Sequence, residues 1–596
     1  MSDPVSLASD PEAPVSGSVS RRGVMGILAG IGVGTSVWQR ALAAQVEDSG
    51  TITAEMIQQA EWIAGLELSD EDREETAKSI RRALDRFDAL RSVDVGYDVP
   101  PAVTFSTAPW RRSTEPVHRN QARPLESAAP RRPDNDETLA FLPVTELSAL
   151  LRSGQVTSRE LTELYLGRLK RYNPLLNCVV TYTEELAFEQ ACRADQEIAA
   201  GRYRGSLHGI PWGAKDLIAW PGYPTTWGAP HFREQMLEEK ATVARRLEEA
   251  GAVLIAKLSL GALAMGDKWF NGRTNNPWDP RQGSSGSSAG SASSVAAGLV
   301  GFALGSETLG SIVSPCRRCG STGLRPTFGR VSRHGCMALS WSMDKIGPIT
   351  RSVEDCALIL DAIHGSDGHD HTVVDQPFHW PPRRPLSALR VGFTESDEPE
   401  DERDDLKLLR ELGVQLVPIQ LPNSLPASAV SMMLGTEAAT VFDELTRKGI
   451  TEGLNSWPST FRRGQFVPAV EYLRASRVRT LLMREMDEVM REVDLYVGGR
   501  DLVITNLTGH PTAVFPAGFV DRDGRCVPFS VTMTGQLFGE SDLLAVAHAF
   551  QQARGMHLKR PPLDEFLKAA EEKAAKEKAE EKPDPKDSKD TSEKDD

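Results

Sequence analysis

Cysteine is scarce in this chain and spells out no disulfide framework: seven occur in 596 residues, an odd number without small-domain spacing. Positive charge is short as well. Lys and Arg number 68 against 83 Asp and Glu, a formal net charge of −15, which counts against nucleic acid as a partner because phosphate binding wants a basic face. The apolar run Gly23–Trp38 falls short of the roughly twenty residues that a membrane span needs. No GK[ST] follows a glycine-rich loop, so nucleotide hydrolysis has no support. Ser342-Met343-Asp344-Lys345 is an SxxK, but the SDN and KTG that accompany it in β-lactamases are missing. With 40 % hydrophobic residues, the chain can still bury a sizeable core.

What is present begins with Arg281–Pro326, RQGSSGSSAGSASSVAAGLVGFALGSETLGSIVSPCRRCGSTGLRP. Two Gly/Ser knots, Gly283–Gly290 and Gly305–Ser311, flank the apolar run Val295–Leu304. Glycines let a backbone turn sharply and approach a substrate, and serines supply hydroxyls that attack or relay protons. A flexible linker would not alternate with a core-forming segment.

Gly286-Ser287-Ser288-Ala289-Gly290-Ser291, GSETLGSIVSPC (Gly305–Cys316), GLRPTFGRVSRHG (Gly323–Gly335) and, upstream, GIPWGAKDLI (Gly209–Ile218) follow in order. Together they resemble the blocks of the amidase signature family. Thr505–Phe519, TNLTGHPTAVFPAGF, resembles its late block, and the likeness runs from about Leu139 to Pro562. The resemblance implies an α/β fold, a large mixed β-sheet core wrapped by helices. It also implies a Ser–cis-Ser–Lys triad: Ser311 as nucleophile, Ser287 as bridge and Lys215 as base. The oxyanion hole would come from backbone N–H groups of Thr308, Leu309, Gly310 and Ser311. No metal or organic cofactor is implied.

A serine hydroxyl needs a base. None of the eleven histidines lies in the blocks that carry Lys215, Ser287 or Ser311; His208, His334 and His510 come nearest, and each is read as structural. Lys215 stands among Ile210, Pro211, Trp212, Ala214 and Leu217, and burial there would lower its pKa. The sequence departs from the family pattern at Leu309, where a glycine is usual, at Glu307 for Asp, and at Val313–Cys316 for Arg-Ile-Pro-Ala. Leu309 narrows the backbone choices of its turn. Gly286–Gly290 also satisfies GxSxG, but a nucleophile elbow needs a strand before it, and Asn275–Pro280 reads as a turn. Cys316-Arg-Arg-Cys319 is a CxxC that zinc, redox chemistry or burial could explain; it is read as two buried thiols.

Residues 1–45 have the order of a twin-arginine-type signal peptide: Arg21-Arg22, an apolar stretch, then Ala41-Leu42-Ala43. Export to the periplasm is the expectation. Residues 46–137 are read as a helical extension and a Pro/Arg-rich connector, 138–563 as the catalytic domain, and 564–596 as a charged tail, disordered beyond Pro583. Helices are expected over 51–92, Leu142–Leu151, Thr157–Tyr172, Lys240–Ala250, Asp401–Leu412 and 484–497, the last running into Leu495-Tyr496-Val497; strands are expected at Val253–Ala256, Val391–Phe393 and Val414–Leu421. Phe442, Trp457 and Phe466 are read as core rather than pocket.

The function expected is hydrolysis of a linear carboxamide through a serine acyl-enzyme, with a small-molecule amide as substrate and no membrane span once the signal is removed. A homodimer stays open. One alternative is the glutaminase A subunit of a tRNA-dependent amidotransferase, although the DGVRYG and GxEVKRRI segments of that family are absent. The other is a non-catalytic binding protein on the same fold.

Overall fold

The structure is a computed structural model that describes residues 52–94, 103, 122–125, 131–394, 403–499 and 501–580. The segment read as a signal, most of the segment read as a connector and the tail beyond Pro583 lie outside the described residues. Two compact units divide between Asp85 and Arg86. In the first, the helix Ala54–Ala64 opens on Thr53, whose hydroxyl accepts the Met56 N–H, and closes on Gly65 at φ 66°. That is the N-cap and left-handed C-cap its sequence calls for. The next helix, Asp70–Arg91, crosses the division.

The second unit is built on a sheet of eleven strands. They are β1 (Val179–Tyr182), β2 (Pro211–Lys215), β3 (Val253–Leu258), β4 (Phe302–Glu307), β5 (Thr322–Arg325), β6 (Lys345–Thr350), β7 (Arg390–Thr394), β8 (Gln415–Ile419), β9 (Leu495–Val497), β10 (Thr512–Arg522) and β11 (Arg525–Gly535). Their spatial order is β1-β3-β2-β4-β6-β5-β10-β11-β9-β7-β8. The β3–β2–β4 and β9–β7–β8 pairings are parallel, and the others are antiparallel. The mixed sheet wrapped by helices is therefore present. All residues of β2, β3 and β6 are buried, as expected where helices cover both faces.

The expected helices form with small changes of boundary. Thr157 caps Ser158–Leu176 through a reciprocal capping box with Glu160. The helix expected over 484–497 starts earlier, at Ala469, because Ala475, Val478, Leu482 and Met486 continue its buried stripe, and it ends at Glu492, with Leu495–Val497 forming a strand instead. The expected turn at 275–280 is a two-stranded ribbon, Asn275–Asn276 against Asp279–Gly283. Pro277-Trp278 makes its bend, and Trp278 is anchored by donating Nε1–H to Cys319 O at 2.7 Å. The last described helix, Leu563–Glu580, begins with buried Leu563 and Phe566. Among the described residues no helix is long and apolar enough to cross a membrane.

Candidate active site

Three segments meet at the C-terminal end of β2. Lys215 ends that strand and is fully buried. Its Nζ lies 2.8 Å from Ser287 Oγ, 3.1 Å from Ser288 Oγ, 2.9 Å from Ser306 Oγ and 3.3 Å from Ser306 O. All four neighbours are uncharged oxygens. Burial disfavours the ammonium and lowers the Lys215 pKa to about 7, against the opposing pull of Asp344 and Glu307.

Ser287 follows a cis peptide bond from Gly286 and is 1 % exposed. Glycine is required at 286, since a Cβ there would stand 1.8 Å from the Gly266 carbonyl oxygen. Ser288 N–H donates to Ser311 O at 3.1 Å, and Ser288 Oγ exchanges hydrogen bonds of 3.1 Å with Ser306 N and O. These bonds join the 287–288 corner to β4 and to Ser311. Ser311 itself is half-buried, just before the helix Val313–Cys319. Among the described residues, no protein acceptor takes the N–H groups of Thr308, Leu309, Gly310 or Ser311.

The left-handed residue in this turn is Gly310, at φ 92°, and Leu309 is not among the non-glycine residues with positive φ. A leucine therefore fits at 309 without backbone strain. Glu307 Oε2 accepts the N–H groups of Ile312 and Val313 at 2.8 and 2.9 Å. Its Oε1 accepts Arg325 Nη1 and Asn506 Nδ2, each at 2.8 Å. Burial alone would raise the Glu307 pKa; Arg325, Lys345 and the Val313 N–H outweigh it and bring it to about 2. The extra methylene of Glu over Asp is absorbed in this bridge between β4, β5 and the start of the helix.

The remaining candidates resolve by their contacts. His510 is buried, shares a 2.8 Å hydrogen bond with Thr508 Oγ1, and is lowered to about 4 by burial and by Arg325. His208 accepts Arg204 N–H at 3.1 Å, and His334 stacks on His369 with centroids 4.1 Å apart. Ser342 Oγ of the SxxK donates to Glu437 at 2.6 Å. Cys316 and Cys319 are buried and free, and burial raises both thiols, Cys316 to about 12. Phe442 and Trp457 are buried in an aromatic cluster with Trp227 and Phe461, whereas Phe466 is half-buried. Sequence reasoning did not single out Ser288 and Ser306 as Lys215 partners. The doubled serine in GSSAGS and the serine before Glu307 were the available hints.

A sequence profile described as Amidase matches residues 160–498. The chain belongs to the amidase family. The A subunit of the glutamyl-tRNA(Gln) amidotransferase of Chloroflexus aurantiacus is 35 % identical over 486 residues, 71 % of this chain and 99 % of that protein. The peptide amidase of Stenotrophomonas maltophilia has 27 % identity and a TM-score of 0.62, covering 70 % of this chain and 98 % of that one. A bacterial aryl acylamidase of the amidase signature family shares the fold at a TM-score of 0.62 and 22 % identity, over 71 % of this chain and 99 % of that one. This member of the amidase family is thus a hydrolase acting on carbon–nitrogen bonds.

Proposed function

We propose that the protein is an exported amidase that cleaves a linear carboxamide through an acyl-enzyme on Ser311, with residues 138–563 as its catalytic domain. The observation that carries this is Lys215, fully buried, hydrogen-bonded at 2.8 Å to Ser287 and with a pKa near 7. A lysine tuned to neutrality serves as a general base. Neutral Lys215 takes the Ser287 hydroxyl proton while Ser287 takes that of Ser311. Ser311 Oγ then bonds to the amide carbon, and the carbonyl pair moves onto oxygen. The N–H groups of the 308–311 turn receive that oxyanion. Collapse breaks the C–N bond, and the amine leaves with the relayed proton. Water repeats the sequence on the ester and frees the acid. The mechanism draws on side chains and backbone alone.

Fluorophosphonate treatment followed by intact-mass analysis and peptide mapping tests the reading. One adduct on Ser311 is expected; a folded protein that takes no adduct contradicts it and favours a binding role. Export is tested by replacing Arg21 and Arg22 with Lys. Retention in the cytoplasm is expected, and unchanged export overturns the twin-arginine assignment.

A second reading, a glutaminase A subunit, draws on the 35 % identity across 99 % of that relative. Glutamine hydrolysis that appears only with partner subunits, and no turnover of simple amides by the isolated chain, would favour it.

A further inference from the structure

The segment Leu339–Asp344 takes no part in the proton relay, yet it is anchored at both ends. Glu437, 5 % exposed on the helix Met432–Val441, accepts four hydrogen bonds. Ser340 Oγ and Ser342 N donate to its Oε2 at 2.8 and 3.0 Å, and Ser342 Oγ and Tyr472 OH donate to its Oε1 at 2.6 and 3.0 Å. Arg479 Nη2 donates to Ser342 O at 2.8 Å, and its Nε reaches Leu507 O at 2.6 Å. At the other end, Asp344 Oδ2 accepts Leu339 N and Ser340 N at 2.8 and 2.9 Å. Its Oδ1 accepts Thr308 Oγ1 at 2.5 Å. Thr308 is the first residue after β4 and opens the turn that ends on Ser311.

We propose that Asp344 is a positioning residue of the acyl-transfer step: it fixes Thr308 at the head of the nucleophile turn, ties that turn to the loop anchored on Glu437, and keeps a negative charge near Lys215. The proposal rests on Ser311 as nucleophile and Lys215 as its base. Oxyanion donors work only when they are held where the charge develops, and Thr308, β-branched and 6 % exposed, transmits a fixed hydroxyl position to its backbone.

The charges around this point are few. Burial raises the Asp344 pKa, and the three donated hydrogen bonds and nearby Arg333 oppose that rise by favouring its carboxylate. Glu307 is matched by Arg325, and Asp216 by Lys257. Lys345, buried, has no hydrogen-bond partner among the described residues. A small cavity lined by Ser306, Thr308, Arg333, Asp344 and Lys345 lies between these groups. Asp344 is first among the charges that favour the Lys215 ammonium. Neutralising it therefore has two separable effects: Thr308 loses its anchor, and Lys215 gives up its proton at lower pH.

The test is the rate of fluorophosphonate labelling at Ser311 against pH in the wild type, Thr308→Val, Thr308→Ser and Asp344→Asn. Thr308→Val should label about 10- to 100-fold more slowly, the scale of a small misplacement, with the pH midpoint unchanged. Thr308→Ser, which keeps the hydroxyl, should recover most of the rate. Asp344→Asn should be slowed comparably, with its midpoint moved to lower pH. Wild-type rates in Thr308→Val, or an unmoved midpoint in Asp344→Asn, overturn the proposal. If Asp344→Asn does not fold, Thr308→Val decides alone, because it deletes a single hydroxyl. Failure of the wild type to label sinks the amidase reading itself, whereas labelling with unchanged variants overturns only the role of Asp344.

Discussion

Lys215 and Lys257 lie on neighbouring parallel strands, one residue out of register: Ala214 of β2 pairs with Lys257 of β3 and Lys215 with Leu258, which sets the two lysines on opposite faces of the sheet, and both are fully buried. Lys257 Nζ lies 2.7 Å from Asp216 Oδ1 and also donates to Pro224 O and Thr225 Oγ1, each at 3.0 Å. Lys215 meets only serine hydroxyls and one carbonyl. Burial is equal, so the acceptors make the difference. A carboxylate locks a buried cation into the scaffold as half of an ion pair. Hydroxyls leave the desolvation cost standing, and the proton becomes easy to give up.

The comparison can be broken at several points. Ser311→Ala should remove the acyl-enzyme altogether, leaving no adduct by intact mass. Lys215→Met should lower kcat by about 10²–10⁴-fold, the contribution of a positioned base, while the folded structure persists by circular dichroism. The same variant sharpens the electrostatic point. In the wild type the unfolded chain keeps the Lys215 proton up to the ordinary lysine value of 10.5, whereas the native state has released it above about 7. Stability measured by urea unfolding should therefore rise from pH 7 toward 10, and that slope should be missing in Lys215→Met. Lys257→Met should act oppositely, costing about 3–5 kcal/mol of stability by stranding Asp216. Part of that loss should return in the double variant with Asp216→Leu. The smallest effect is expected from Leu309→Gly. It should change kcat/KM by less than about tenfold, chiefly across a series of amides of increasing acyl size.

Much of the central cluster was legible because each member sits in a short block with its own local logic. Lys215 stands in an apolar strand, Ser287 in a glycine corner and Ser311 at a helix start. The mixed sheet was legible mainly through resemblance. Strands such as β4, FALGSE, and β6, KIGPIT, are buried from end to end, apart from half-buried Ser306, so they show no alternation to read. The supporting network was not legible. Glu307 meets Arg325 18 residues away and Asn506 199 away, and Thr308 meets Asp344 36 away. No local pattern announces such pairs. Leu309 shows the converse: a departure that looked costly in sequence is tolerated because Gly310 takes the left-handed position.

The most direct test of the account is the pH dependence of fluorophosphonate labelling at Ser311 in the wild type and in Lys215→Met. The account predicts a rate that rises through a midpoint near pH 7 in the wild type, where Lys215 loses its proton, and labelling slowed by orders of magnitude in Lys215→Met. Equal labelling of the two proteins, or a wild-type rate that is flat from pH 5 to 9 (about two units either side of that midpoint), would contradict it.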